Sequence, residues 1–194
     1  MKNSFFALIS RMRYIGRWGL MRNSSPENIQ EHSHMVAVIA HALAVIRRDE
    51  FCGVIDPNLV AAAALYHDAS EIFTGDLPSP IKYLNPDILA AYRQVEDVAM
   101  GKLLRLLPTQ LQSSYVPLLT DLDADVHLLI KAADRLSAYI KCLEELRAGN
   151  DEFGAARRQI LQSIEENILP ETAYFLEHFI PAFDLTLDEL DLSV

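Results

Sequence analysis

Apolar residues recur along most of the chain at the spacing of three and four positions that is typical of amphipathic α-helices. Near the start, Phe5, Leu8, Ile9 and Met12 lie on one helical face. No segment alternates apolar and polar residues convincingly with the period of two that a half-buried strand requires. Glycine is scarce, with 7 residues in a chain of 194, where average usage would give roughly 14. The pattern therefore predicts an all-α fold.

Residues that favour helix ends predict where the individual helices begin and stop. Asn28 or a neighbour opens a helix with its apolar body over 35–46, and Asp56 with Pro57 opens one expected to continue to about Ser70. The remaining helices are predicted from Pro86 to near Leu107, over 109–119, from Asp123 to a stop at Gly149, and over 152–178 with a kink or break at Pro170. We predict a single-domain helical bundle over residues 1–194, with a loose acidic tail over 185–194.

Composition narrows the range of partners. The net charge of −10 repels phosphate backbones and anionic membranes, so nucleic-acid polymers and membrane surfaces are unfavourable partners. Two cysteines form no disulfide framework, which favours a cytoplasmic location. The longest apolar run, 35–46, is shorter than a membrane span and is typical of a buried core helix.

Four ionisable residues stand inside apolar helical patterns, where an unpartnered charge is costly. They are His32, the adjacent pair His67 and Asp68, and Asp134. Helical bundles build metal sites from inward-facing side chains on different helices. Two imidazoles and two carboxylates suit one divalent cation, and the residues alone do not choose among Co, Mn, Zn, Ni and Fe.

Two further acidic residues follow the His-Asp pair. Glu71 stands four residues after His67 and three after Asp68, so we expect it on the same helical face, where it would orient or deprotonate a water. Asp76 lies in the segment 75–80, which is rich in glycine and proline and predicts a rigid turn. It would handle a leaving-group proton or bind a sugar hydroxyl. The alternatives are a plain helix-end charge for Glu71 and a turn residue for Asp76.

The order His32, His67-Asp68, Asp134 on helices resembles the motif of the HD-domain metal-dependent phosphohydrolases. Further stretches narrow the resemblance to the bacterial 5′-deoxynucleotidases of the YfbR type. They are Arg17-Trp18, Glu31-His32-Ser33, Tyr66 to Glu71, Thr74 to Pro78, Lys82-Tyr83, Lys131 to Asp134, and Lys141 to Glu145.

The resemblance implies an HD-type bundle that removes the 5′ phosphate of 2′-deoxynucleoside monophosphates without regard to the base. It implies that His32, His67, Asp68 and Asp134 hold the metal, that Glu71 is the acid/base residue, and that Arg17 orients the phosphate. It also implies that the Trp18 side chain lies against C2′ of the sugar, where a ribose hydroxyl would clash. The family is homodimeric, so the resemblance implies a homodimer. The substrate-binding set carried over is Arg17, Trp18, His32, Asp68, Asp76, Leu77, Pro78, Ser79 and Asp134, with Ser79 standing where the family pattern has threonine.

Other interpretations stay open at this point. The first alternative is an HD phosphohydrolase that acts on a deoxynucleoside triphosphate, a cyclic nucleotide or guanosine tetraphosphate, although basic residues are few near the motif. A catalytically inactive nucleotide-binding bundle is the second alternative, and the retained Glu71 argues against it. Arg17 and Trp18 have a structural alternative, in which the indole anchors a connector and the guanidinium is solvated. By their patterns, His41 is expected to be a core histidine, and Lys141 and Glu145 part of an exposed charged face.

Overall fold

The computed structural model of the protein describes residues 3–82 and 84–190. Within these ranges the chain forms α-helices and short 3-10 turns, and its only extended pairing is an isolated antiparallel bridge between Gly16 and Asn28. The α-helices, in chain order, are α1 (Phe5–Ile9), α2 (Ile29–Asp49), α3 (Pro57–Ala64), α4 (Glu71–Thr74), α5 (Ser79–Lys82), α6 (Pro86–Arg105), α7 (Thr109–Leu119), α8 (Ala124–Arg147), α9 (Gly154–Glu165) and α10 (Pro170–His178). The all-α prediction is confirmed.

Local capping chemistry explains why several helices begin where the sequence predicts. The Asn28 side chain accepts a hydrogen bond from the Glu31 amide, and the Glu31 side chain accepts one from the Asn28 amide, which completes a capping box at α2. Asp56 caps α3 and is followed by Pro57 in the first turn. Asp123 caps α8 through two backbone amides. These side chains satisfy amides that no carbonyl within the helix reaches.

Two predicted helices are shorter than expected. The helix predicted to reach Ser70 ends at Ala64, and residues 65–70 form consecutive turns with bonds between residues three apart, such as Ala69 N–H to the Tyr66 carbonyl. The helix predicted over 152–178 is divided into α9 and α10, and Pro170 is the first-turn residue of α10 and not a kink within a helix. In the turn segment 75–80, a short helix, α5, begins at residue 79.

The core forms around α2, which packs against α3, α8 and α10. Its buried side chains include Val36, Ala40 and Leu43. By length and composition alone α2 is apolar enough to cross a membrane, but 56% of that window is buried inside the fold, so the predicted core helix is confirmed. His41, however, lies on the exposed face of α2 and is not a core residue. Apolar residues surround His41 in the sequence of α2, so the pattern alone does not show which face of the helix His41 lies on.

Residues near the C-terminus close the side of the bundle. Phe175 is buried against the core, whereas Phe179 is largely exposed. Of the predicted tail, residues 185–190 are exposed, and the Arg147 guanidinium donates to the Leu185 carbonyl. Residues 191–194 lie outside the described ranges.

Candidate metal and phosphate site

Three separate elements bring the predicted ligands together. His32 lies on α2, His67 and Asp68 lie in the turns after α3, and Asp134 lies on α8. Ligand atoms of His32, His67 and Asp68 are all within 4.8 Å of one another. Asp134 falls outside that tightest group, but its Oδ1 is 3.1 Å from His32 Nε2. These four residues are called the His–Asp cluster below.

In both histidines Nδ1 has a hydrogen-bond partner and Nε2 faces the His–Asp cluster. His67 Nδ1 lies 2.8 Å from the Ala64 carbonyl, and because a carbonyl only accepts, Nδ1 carries the proton there. His67 Nε2 is buried and has no hydrogen-bond partner within the described chain, although Asp68 Oδ2 is 3.1 Å away. On the other side, His32 Nδ1 lies 3.3 Å from the Ser137 hydroxyl, while its Nε2 faces Asp68 and Asp134. The unpartnered His67 Nε2 and the His32 Nε2, which lies between two carboxylates, fit a divalent cation.

The electrostatics of the His–Asp cluster also favour positive charge. Burial would raise the pKa of Asp68, but the neighbouring His67 lowers it well below the ordinary range. Burial acts on Asp134 in the same way, and its hydrogen bond with His32 reverses the effect. For His67, burial lowers the pKa and the Asp68 carboxylate more than compensates. The two carboxylates therefore stay ionised in the interior and stabilise a cation placed between them.

Glu71 begins α4 and is 7% exposed. Its Oε2 is buried and has no hydrogen-bond partner within the described residues. Burial, followed by the charges of Asp68 and Asp76, raises the pKa of Glu71 to about 9, although Arg17 and Lys82 oppose this. The prediction of one continuous helical face is wrong, since turns separate α3 from α4. The turns instead keep Glu71 close to Asp68 through the bond from the Glu71 amide to the Asp68 carbonyl.

Arg17 and Trp18 lie in the connector between the first helix and α2. The Arg17 side chain is 14% exposed, and its Nη1 donates to Glu27 Oε2 at 2.8 Å. Trp18 Nε1 donates to the same oxygen at 2.9 Å, and its ring packs on Phe153 at 5.2 Å between centroids. The alternative in which the guanidinium is solvated is therefore wrong. Trp18 also has a φ of +60°, in the left-handed region that few residues other than glycine adopt.

Arg17 lies within electrostatic reach of the carboxylates of the His–Asp cluster. Burial alone would lower its pKa, but Glu27, Asp134, Asp68 and Asp76 raise it. The backbone N–H of Trp18 in turn lowers the pKa of Asp76, although burial, the strongest effect, leaves that pKa raised. The connector and the turn segment 75–80 therefore meet at the site.

The rest of the turn segment is partly described. Leu77 and Pro78 are half-buried, and the side chain of Ser79 lies outside the described part of the structure. Lys82, at the end of α5, pairs with Glu96 at 2.8 Å and lies over the Tyr92 ring at 4.5 Å. Its charge acts on Glu71, so this face of the site carries a second cation besides Arg17.

The sequence analysis assigned no role to three supporting residues and placed one charged pair on the wrong face. Glu27 and Ser137 support Arg17 and His32, and Lys82 lies near Glu71. Ser137 stands three residues after Asp134, a helical spacing that would have placed it on the same face. Lys141 and Glu145, expected on an exposed face, form a buried ion pair that reaches the segment 22–25. Their spacing of four residues fits an exposed or a buried pair equally well.

The chain is similar to known proteins over most of its length. The sequence model of the family described as "5′-deoxynucleotidase YfbR-like" matches residues 4–183. A 5′-deoxynucleotidase of Vibrio parahaemolyticus is 47% identical over 193 residues, which cover 98% of this chain and 100% of that protein. A 5′-deoxynucleotidase of Vibrio cholerae is 48% identical over 191 residues, covering 97% and 98% of the two chains.

Solved structures share the fold. An HD-domain phosphohydrolase of Listeria innocua has a TM-score of 0.79 at 24% identity, covering 93% of this chain and 88% of its own. The HD phosphohydrolase DatZ of cyanophage S-2L, solved with dA and one catalytic Zn²⁺, has a TM-score of 0.62 at 19% identity and covers 93% and 96%. The fold likeness, the near-complete match to the family and relatives close to half identical over their whole length lead to one assignment: this chain belongs to the YfbR-like 5′-deoxynucleotidase family.

Proposed function

We propose that this chain removes the 5′ phosphate from 2′-deoxynucleoside monophosphates by direct attack of water. The main support for this proposal is the buried carboxyl group of Glu71, which has an oxygen without a hydrogen-bond partner among the described residues and lies within electrostatic reach of Asp68 and Arg17. A proton acceptor, a cation site and a guanidinium are together what phosphate-ester hydrolysis requires. The names of the Vibrio relatives support the substrate class.

The His–Asp cluster would hold one divalent cation, which would lower the pKa of a nearby water and neutralise charge on the phosphate. Glu71 takes a proton from the attacking water. Its pKa of about 9 reflects burial and neighbouring carboxylates. Positive charge at the His–Asp cluster, added to that of Arg17 and Lys82, favours the ionised form that accepts a proton. The donor set suits Zn, Co, Mn, Ni or Fe(II), and DatZ, which shares the fold, holds Zn²⁺.

Other side chains bind the substrate and complete the proton balance. Arg17 presents a planar guanidinium to the phosphate, and such a group pairs with two oxygens at once. The bond from the water oxygen to phosphorus forms as the bond from phosphorus to the 5′ oxygen breaks. Asp76, whose pKa burial raises, supplies a proton to that leaving oxygen. Trp18 lies beside Arg17, where its ring would meet the 2′ position of the sugar, and Leu77, Pro78 and Ser79 would line the nucleotide.

Phosphate release tests this proposal. Metal-stripped protein is supplied with Co²⁺, Mn²⁺ or Zn²⁺ and given dAMP, AMP, 3′-dAMP or dATP. We expect metal-dependent release from dAMP, little from AMP or 3′-dAMP, and release from dAMP at least about 100-fold slower by Glu71→Gln. Failure of every metal to support release from dAMP would refute the proposal. Preferential cleavage of dATP would favour the triphosphate alternative.

We also propose that the protein acts as a cytoplasmic homodimer, as the family resemblance implies. Light scattering on the eluting protein should give twice the chain mass of 21.8 kDa. A monomer at micromolar concentration would contradict this.

A further inference from the structure

Glu27 takes no part in the chemistry proposed above, yet it contacts two residues assigned to substrate recognition. A single oxygen, Oε2, accepts from Arg17 Nη1 and from Trp18 Nε1 at 2.8 and 2.9 Å. The Glu27 side chain is only 15% exposed. Hydrogen bonds that involve ionised groups are stronger than neutral ones, and more so where water is scarce. Glu27 therefore links the guanidinium and the indole into one unit.

The backbone fixes where this unit lies relative to the metal ligands. The Arg17 amide donates to the Glu27 carbonyl at 2.9 Å, and the Ile29 amide donates to the Ile15 carbonyl at 3.0 Å. Gly16 and Asn28 pair between these bonds. Since α2 begins at Ile29 and carries His32, the Glu27 carboxylate is held a short distance along the chain from the His–Asp cluster.

Charge explains why Arg17 needs a partner at this position. Besides Glu27, three carboxylates act on the guanidinium, and they belong to Asp134, Asp68 and Asp76. A guanidinium free to rotate would pair with them and occupy the space of the phosphate. The contact with Glu27 engages Nη1, and Nε and Nη2 have no hydrogen-bond partner within the described residues. These two nitrogens of the fork then remain for phosphate oxygens.

Trp18 depends on the same oxygen for its orientation. Its ring has Phe153 on one side at 5.2 Å, and the bond from Nε1 to Glu27 fixes the rotation that packing alone leaves free. A side chain that excludes a ribose hydroxyl by contact must hold its place, because a small displacement opens the space for one oxygen atom.

We propose that Glu27 is a positioning residue that sets phosphate affinity through Arg17 and deoxyribose selectivity through Trp18. This inference rests on the proposed function. It assigns to one carboxylate two properties that would otherwise belong to separate side chains. Removing that carboxylate should therefore weaken both properties together.

The test compares Glu27→Ala, Glu27→Gln and Glu144→Gln in the metal-loaded protein with dAMP and AMP. Glu144 is exposed and borders the same cavity of about 180 Å³ as Glu27, which makes it a matched control. For Glu27→Ala we expect KM for dAMP to rise about tenfold and the ratio of kcat/KM for AMP to that for dAMP to rise about tenfold. Glu27→Gln, which keeps an acceptor oxygen, should restore most of the selectivity, and Glu144→Gln should match the wild type.

The selectivity ratio separates positioning from folding. Both substrates are measured on one preparation, so a smaller folded fraction cancels in the ratio. An unchanged ratio in Glu27→Ala, or a fall in kcat alone, would overturn the proposal.

Fluorescence adds a readout that needs no activity. Trp18 is the only tryptophan of the chain, so the emission maximum reports directly on its contact with Glu27. We expect a shift in Glu27→Ala and none in Glu144→Gln. Wild-type protein inactive on dAMP would refute the proposed function, whereas active wild-type protein with an unmoved ratio and emission in Glu27→Ala would refute the role of Glu27 alone.

Discussion

Replacing Glu145 by alanine removes the acceptor at the centre of a buried polar network. The carboxylate pairs with Lys141 and accepts from the Ser24 and Ser25 amides at 2.8 and 3.1 Å and from Asn150 Nδ2 at 2.8 Å. The side chains of Glu145 and Lys141 are 1% and 6% exposed. The substitution therefore leaves an ammonium and several donors in the interior without their acceptor.

The magnitude follows from these contacts. Breaking a buried ion pair by removing one partner costs about 3–5 kcal/mol. Lys141 keeps a bond to the Ser25 carbonyl, and Ser24 and Ser25 are exposed enough for water to reach their amides, which limits the loss. We expect the free energy of unfolding to fall by about 4 kcal/mol, a large share of the roughly 5–15 kcal/mol of an ordinary domain.

Urea denaturation followed by the fluorescence of Trp18 measures this loss. Glu152→Ala is the matched control, because Glu152 also joins this region to the segment 22–25, but through Arg22, whose side chain is 93% exposed. An exposed pair of that kind contributes at most about 1 kcal/mol. If the two variants lose equal stability, and that loss is below about 1 kcal/mol, the reasoning from burial is refuted.

Three other perturbations test the site and the network. Ser137→Ala removes the partner of His32 Nδ1, so metal affinity measured by calorimetry should fall roughly 10–100-fold, and an unchanged affinity would show that the hydroxyl does not orient the ring. Glu71→Gln should lower kcat for dAMP by at least about 100-fold with KM little changed, and retention of kcat would remove Glu71 from proton transfer. Lowering the pH below about 4.5, the ordinary pKa of a glutamate, should reduce the free energy of unfolding. Burial raises the pKa of Glu145, but its hydrogen bonds hold that pKa far below the ordinary value, so the stability present above pH 4.5 is lost as the group is protonated. Glu145→Gln should flatten this dependence in acid denaturation curves.

Local chemistry is what the sequence predicts well. The caps at Asn28, Asp56 and Asp123 accept hydrogen bonds from amides two or three residues ahead, so the sequence alone is enough to predict them. The candidate ligands were predicted from a similar local signal, since His32 and Asp134 interrupt apolar helical faces. The fold class follows from these local signals and the family from the resemblance of the motifs, and both are confirmed.

Tertiary contacts account for what the sequence left unpredicted. The turns over 65–70 contain no proline or glycine, so nothing local marks the end of α3 at Ala64. They matter because neighbouring residues in an α-helix diverge by about 100°, and His67 and Asp68 both face one cluster. Glu27 was overlooked for a related reason: its partners lie nine and ten residues away, and only the folded connector brings them together.

The left-handed backbone of Trp18 is a local strain that the contacts of its own side chain offset. A residue with a Cβ costs about 1–2 kcal/mol in that conformation, which glycine avoids. Cys52, with a φ of +55°, is under the same strain but is exposed and lies outside the proposed site. Glycine at position 52 would remove this cost without touching the site, so it should raise the free energy of unfolding. At position 18 glycine would also delete the ring that packs on Phe153 and donates to Glu27, and the loss of these contacts outweighs the relief of backbone strain.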